Sequence, residues 1–343
     1  MEKQEVFLRI REELNNDSPM AWYEPTIGCM EGVSKAGNVQ FSVVEGFFNS
    51  GQFCNNDGFI LEVLQMYSFA TVGMVRDGME MLKRKGEKVN VIPPSSIEAR
   101  LEVFSRVGLV AKHRYTERLN NGGPRTIAMH VVWSITSMGI KVITKHREKR
   151  IQGYDILRCL ENSVSKMMVL SSSYGASLYA KGVDSCIPII SSSSLLNCPD
   201  VKNAYYSSKV TLVPSDSCMR TLFFETAFTR DDGYIKPSVR IEKMVQQFKD
   251  IVKYIKYKKD DYDGDYCAKL VILVENKGAL DEVVDILSVE APEVFDYAWF
   301  SSIPVMRVRE IKLPFLYVST ESLAREGGKV VYKVGPVDDE TFI

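Results

Sequence analysis

The sequence predicts an α+β/α/β chain: an N-terminal winged helix-turn-helix, then an α/β domain. Three observations carry this. Apolar residues between Phe59 and Phe104 recur at helical spacing, and after Gly108 the period changes from 3.6 to 2. Beyond Val210, strand-like and helix-like runs alternate. Charge is uneven: Lys83 to Arg150 holds 15 Lys/Arg against 5 Asp/Glu, and Asp260 to Ile343 holds 8 against 17, in a 343-residue chain of net charge −1. A basic segment in a neutral chain points to a local anionic partner.

Residues 1–14 read as a helix broken from Asn15 to Pro19, and residues 20–54 have no clear period. Asn56 or Asp57 can cap a helix bearing Phe59, Ile60, Val63, Leu64 and Tyr67 on one face. Ser68 to Ala70 form a turn. Thr71 caps a second helix, with Val72, Val75, Met79 and Leu82 inward and Lys83, Arg84, Lys85 and Gly86 at its end, where cations complement the dipole. After Pro93-Pro94, Ser95 or Ser96 caps a third helix with Ile97, Leu101 and Phe104 inward. Ala99, Glu102, Val103 and Arg106 point outward. Leu109–Tyr115 and Thr126–Ile135 read as strands around an Asn120–Pro124 tip, and Thr136 starts a further helix. Three helices followed by a hairpin is the order of a winged helix-turn-helix.

Residues 154–168 read as helical. The serine clusters Ser171–Ser173 and Ser191–Ser194 read as loops, with one short strand possible between Gly175 and Ile190. Val210–Val213 and Arg220–Phe228 read as strands. Ile241, Val245, Phe248, Val252 and Ile255 define an amphipathic helix. Lys269–Val274 is an apolar strand, Ala279–Leu287 a helix, and Pro304–Ile311 and Phe315–Ser319 strand-like. The expected units are residues 1–54, 55–150, 151–209 and 210–343.

The candidate DNA contacts are Arg100, Arg106, Lys112, His113, Arg114, Arg118 and Arg125. Clustered hairpin cations release counterions from phosphates, although a solvated edge strand also uses them. Arg106 can reach a guanine edge and Glu102 can accept from cytosine, but Glu102 also repels phosphates. Seven scattered cysteines without C-x-x-C and three histidines off ligand spacing argue against structural zinc, and for reduced thiols in a cytoplasmic protein. No apolar run spans a membrane, and no P-loop or G-x-S-x-G elbow occurs. Tyr254 and Tyr257 read as helix surface rather than as nucleophiles. No cofactor is expected.

The stretches ILEVLQMYSFAT (60–71), IEARLEVFSRVGLVAKHRY (97–115) and VVWSITSMGIKVI (131–143) resemble the winged helix of the replication-relaxation proteins of plasmids and other mobile elements. The resemblance runs on through LVPSDSCMRTLFFETAF (212–228), IVKYIKY (251–257) and AKLVILVEN (268–276). It implies a double-stranded DNA-binding protein acting in replication, mobilisation or transcription control. It further implies a degenerate nuclease-type core, with Asp216 and Glu225 in the acidic positions and Ala227 where a third polar group belongs. Such a pair is too small a carboxylate set for Mg²⁺, and an ion pair to a nearby lysine or arginine is the expected role of Glu225. A homodimer on a palindromic site is expected, with replication or mobilisation proteins as further partners. A metal-dependent nuclease and a protein-interaction adaptor are the competing readings.

Overall fold

A computed structural model describes residues 3–15, 28–32, 42, 44, 46–47, 50–118, 124–147, 163–201, 204–227, 237–308, 311–327, 329–338 and 342. It is a mixed α+β protein, with a helical N-terminal region and a seven-stranded mixed sheet. Among the described residues, no helix is long and apolar enough to cross a membrane.

The first helix, α1 (Lys3–Asn15), is followed by β1 (Gly28–Gly32). Three helices come next: α2 (Asn55–Tyr67), α3 (Val72–Arg84) and α4 (Pro94–Arg106). Ile60, Val63, Leu64, Val75, Met79, Leu82, Ile97, Leu101 and Phe104, which the helical period selects, are buried; Leu61, Met74 and Met81, which it does not select, are buried too, and Val72, expected inward, is half-buried. The starts differ from expectation at two places. Cys54 caps α2, while Asp57 Oδ2 accepts from Cys54 N at 2.8 Å. Pro93 stands at the cap of α4, because Pro94 takes the first helical position, where its missing N–H leaves no gap. Thr71 caps α3 as expected, accepting from Met74 N at 3.3 Å.

Gly108 ends the run at φ 78° and the chain enters β2 (Val110–Arg118), which pairs antiparallel with β3 (Pro124–Ile135). The Asn120–Gly123 part of the tip lies outside the described residues. Residues 28–32, unassigned from sequence, form a third strand on the outer edge of β2. The turn after α2 also joins the hairpin: Ala70 N donates to Trp133 O at 2.9 Å, and Trp133 N to Ala70 O at 2.8 Å. Thr136 hydroxyl donates to Leu109 O at 2.9 Å, and Gly139 N donates to the hydroxyl at 3.1 Å, which starts α5 (Ser137–Arg147). A Cβ on Gly139 would stand 2.3 Å from Leu109 O, so only glycine allows this helix so close to the strand.

The serine-rich stretch is not loop. Ser171–Ser173 lie inside α6 (Ser163–Gly182), and Ser191–Ser194 lie in β4 (Ile189–Leu195). Buried hydroxyls satisfy one another there, so serine is accommodated in an interior. Ser173 Oγ lies 2.9 Å from Ser192 Oγ, which lies 3.1 Å from Ser208 Oγ, and Ser173 also donates to Tyr67 O at 3.1 Å. These bonds tie α2 to the sheet.

The chain continues with β5 (Tyr205–Ser215), β6 (Cys218–Thr226), α7 (Pro237–Asp261), β7 (Asp265–Leu273), α8 (Lys277–Glu290), β8 (Ala298–Ser301), β9 (Leu316–Val318), a separate two-stranded pair β10 (Ala324–Glu326) and β11 (Lys329–Val331), and β12 (Val334–Pro336). The strand order is β12-β9-β8-β7-β6-β5-β4, with β6, β7 and β8 parallel. The expected strand at 304–311 is instead a helical turn, Ile303–Met306, with Pro304 near its start, and the strand precedes it as β8. Phe223, Leu270 and Ile272 share a core with Phe248, Ile251 and Val252 of α7, Leu280 and Val284 of α8, and Ile10 and Leu14 of α1. Phe224, Val271 and Leu273 join Leu170, Ala176 and Tyr179 of α6 and the helical region in the other core. Apolar residues therefore face both ways along the parallel strands, which explains their unbroken apolar runs.

Candidate nucleic-acid interface

The candidate cations are all carried by α4, β2 and β3, but their surroundings differ. Arg106, the last residue of α4, is exposed. Arg100 faces α2: its Nε donates to Asp57 Oδ1 at 2.9 Å, a second guanidinium nitrogen reaches Oδ2, and that nitrogen also donates to Gln52 O at 2.8 Å. Asp57 is fully buried, and its carboxylate holds the Arg100 guanidinium above the ordinary arginine range. Arg100 thus locks the start of α2 to α4 rather than facing outward.

His113 is also inward. It is buried, its Nε2 lies 2.7 Å from Ser134 Oγ, and its ring meets Phe69 edge-on at 5.6 Å. Strand alternation puts neighbouring Lys112 on the opposite face. Lys112 forms an ion pair with Glu102 of α4 and sits 5.4 Å from the centroid of the Trp133 ring. The remaining hairpin cations are placed by ladder register: Arg114 opposite Glu31 and Val131, Arg125 opposite Glu117, and Arg118 opposite Pro124.

The turn between α3 and α4 is fixed by Asn56, whose side chain donates to Asn90 O at 2.7 Å and accepts from Asn90 N at 3.1 Å. Arg84, which dipole complementation would leave at the surface, donates to Val183 O at 3.0 Å beyond α6. The exposed positions of α4 include Ser95, Ser96, Glu98, Ala99 and Arg106, so that face carries both signs of charge.

The acidic pair of the second unit does not converge. Asp216 is exposed at the β5–β6 turn, and Glu225 lies nine residues on, near the far end of β6. At about 3.3 Å per residue this places them roughly 25–30 Å apart, which excludes one metal ion bridging both. Among the described residues no group of three or more His, Cys, Asp or Glu side chains could hold a metal ion.

Glu225 is 1% exposed and has a different partner set from the expected lysine or arginine. Ser207 N donates to Oε1 at 2.6 Å, Ser207 Oγ to Oε2 at 2.5 Å, and Gln247 Nε2 to Oε2 at 2.8 Å. Burial pushes its carboxyl up to about 8, against the lowering effect of these donors. The two tyrosines of α7 are surface or packing groups: Tyr254 meets Phe223 edge-on at 5.9 Å, and Tyr257 hydroxyl donates to Asp261 Oδ1 at 3.5 Å.

Comparison with protein-family models, curated proteins and solved structures finds no match for this chain.

Proposed function

We propose that the chain is a double-stranded DNA-binding protein of a plasmid or other mobile element, with residues 55–147 acting as a winged helix-turn-helix. The observation that carries the reading is the Ala70–Trp133 bridge. It ties the turn between α2 and α3 to β3 through a single residue pair, and the chain order around it runs helix, helix, helix, hairpin. That is the order in which a winged helix presents its third helix to a groove and its hairpin to the flanking backbone. Arg106 on α4 and the positions of Arg114, Arg118 and Arg125 on the hairpin supply candidate contacts.

The resemblance to the replication-relaxation proteins gives the same direction: a role in replication, mobilisation or transcription control in the cytoplasm. Two copies related by a two-fold axis would fit a palindromic site. The seven-stranded sheet is assigned to assembly or to recruiting replication or mobilisation proteins. The separation of Asp216 and Glu225 weighs against a nuclease built on them.

Incubating the purified chain with plasmid DNA, with and without Mg²⁺, tests this reading. Retarded but uncut DNA in both conditions is expected. Metal-dependent nicking would replace the reading with a nuclease, and absence of any binding would favour a protein adaptor.

A further inference from the structure

Glu102 and Lys112 form an ion pair between the outward side of α4 and the hairpin. Trp133, directly opposite Lys112 in the ladder and fully buried, places its ring beneath the ammonium at 5.4 Å. The lysine side chain is 21% exposed and the glutamate 36%, so both remain within reach of a ligand. A cation held by a carboxylate and a ring face is already compensated. A phosphate gains little from Lys112 unless Glu102 releases it, and the carboxylate itself repels the phosphate. Base reading by Glu102 competes with the same contact, because Lys112 engages one of its two carboxylate oxygens.

We propose that Glu102 is a brake on sequence-independent DNA binding, neutralising Lys112 until α4 seats in a matching groove. The proposal rests on the DNA-binding reading above. Specificity is a difference of affinities, and weakening the wrong complex raises it as effectively as strengthening the right one. A random duplex offers phosphates without matching base edges, so nothing there offsets the cost of breaking the pair. A preferred site adds contacts along α4 that offset this cost.

The test compares wild type, Glu102→Gln, Lys112→Met and the double variant, with Glu98→Gln as a control on the same helix. Two readouts are taken: anisotropy titration of a labelled random-sequence duplex over a salt series, and salt of elution from heparin. Glu102→Gln should bind the random duplex roughly three- to tenfold tighter, with a salt slope steeper by about 0.9 for one added phosphate contact. It should elute later from heparin, and both gains should vanish in the double variant. Unchanged slope and elution in Glu102→Gln overturn the brake. So does an equal gain in Glu98→Gln, or one that survives Lys112→Met, since either indicates general repulsion. Duplex binding by wild type without these shifts leaves the DNA reading intact and removes the brake. A Lys112-dependent heparin shift without duplex binding by any form does the reverse.

Discussion

The carboxyl group of Glu225 accepts both the backbone N–H and the hydroxyl of Ser207, where the β5–β6 ladder, paired from Ser208 onward, has lost its register partner. The side chain thus stands in for a strand carbonyl, and Gln247 of α7 completes its shell without a cation. Its carboxyl group titrates near 8 in the folded chain against an ordinary value of 4.5. Between those values the folded state holds more protons than the unfolded one, so this group's contribution falls as pH rises. It is fully present below about 4.5 and lost as pH passes about 8. Glu225→Gln should flatten the decline in melting temperature between pH 5 and 8.5 relative to wild type. Parallel pH profiles for the two proteins would contradict it.

Arg100 should matter to folding more than to DNA. Asp57 is fully buried, so removing its guanidinium partner leaves an uncompensated carboxylate. The partial exposure of Arg100 lets water relieve part of that cost, and Arg100→Ala should lose about 2 kcal/mol in urea denaturation. Its affinity for duplex DNA, measured well below the unfolding transition, should stay within about twofold of wild type. A large affinity loss with unchanged stability would return Arg100 to the interface.

Two glycines should respond oppositely to alanine. Gly139→Ala drives a Cβ to 2.3 Å from Leu109 O and 2.7 Å from Ile135 Cγ1, and should destabilise by about 2–3 kcal/mol. Gly73, inside α3, meets nothing nearer than Thr71 Oγ1 at 3.8 Å, and Gly73→Ala should stabilise by roughly 0.5–1 kcal/mol. Thermal melts of both variants check this, and a neutral Gly139→Ala would refute the close approach of α5.

Arg106 and the hairpin arginines should separate by sequence dependence. Arg106→Ala should cost about 1–3 kcal/mol on a preferred site and little on random DNA. Replacing Arg114 and Arg125 together should weaken both and lower the salt slope by about one unit per lost contact. Equal losses for Arg106→Ala on both duplexes would limit it to the backbone.

Helix positions from Phe59 to Phe104 were legible because most burial there follows a 3.6-residue period, although Leu61, Met74 and Met81 are buried off that stripe. The parallel strands were legible as apolar runs, and α7 as five regularly spaced apolar residues. The serine clusters were not legible: hydroxyl pairs such as Ser173–Ser192 bury polar residues only when two distant segments meet, which local composition does not record. Charge was the least faithful guide to the candidate interface. Counting cations along 83–150 cannot show that Asp57 claims Arg100, that Glu102 claims Lys112, or that His113 faces inward. The one available sign was the presence of Asp57 and Glu102 themselves, each at a position where a helical neighbour or adjoining strand brings a cation within reach.

Amide hydrogen exchange of the whole chain, with and without a saturating duplex at low salt, tests the central claim most directly. The account predicts slowed exchange along α4 and the β2–β3 hairpin, with β5 to β9 unchanged. Slowed exchange confined to the seven-stranded sheet, with α4 and the hairpin unaffected, would contradict it.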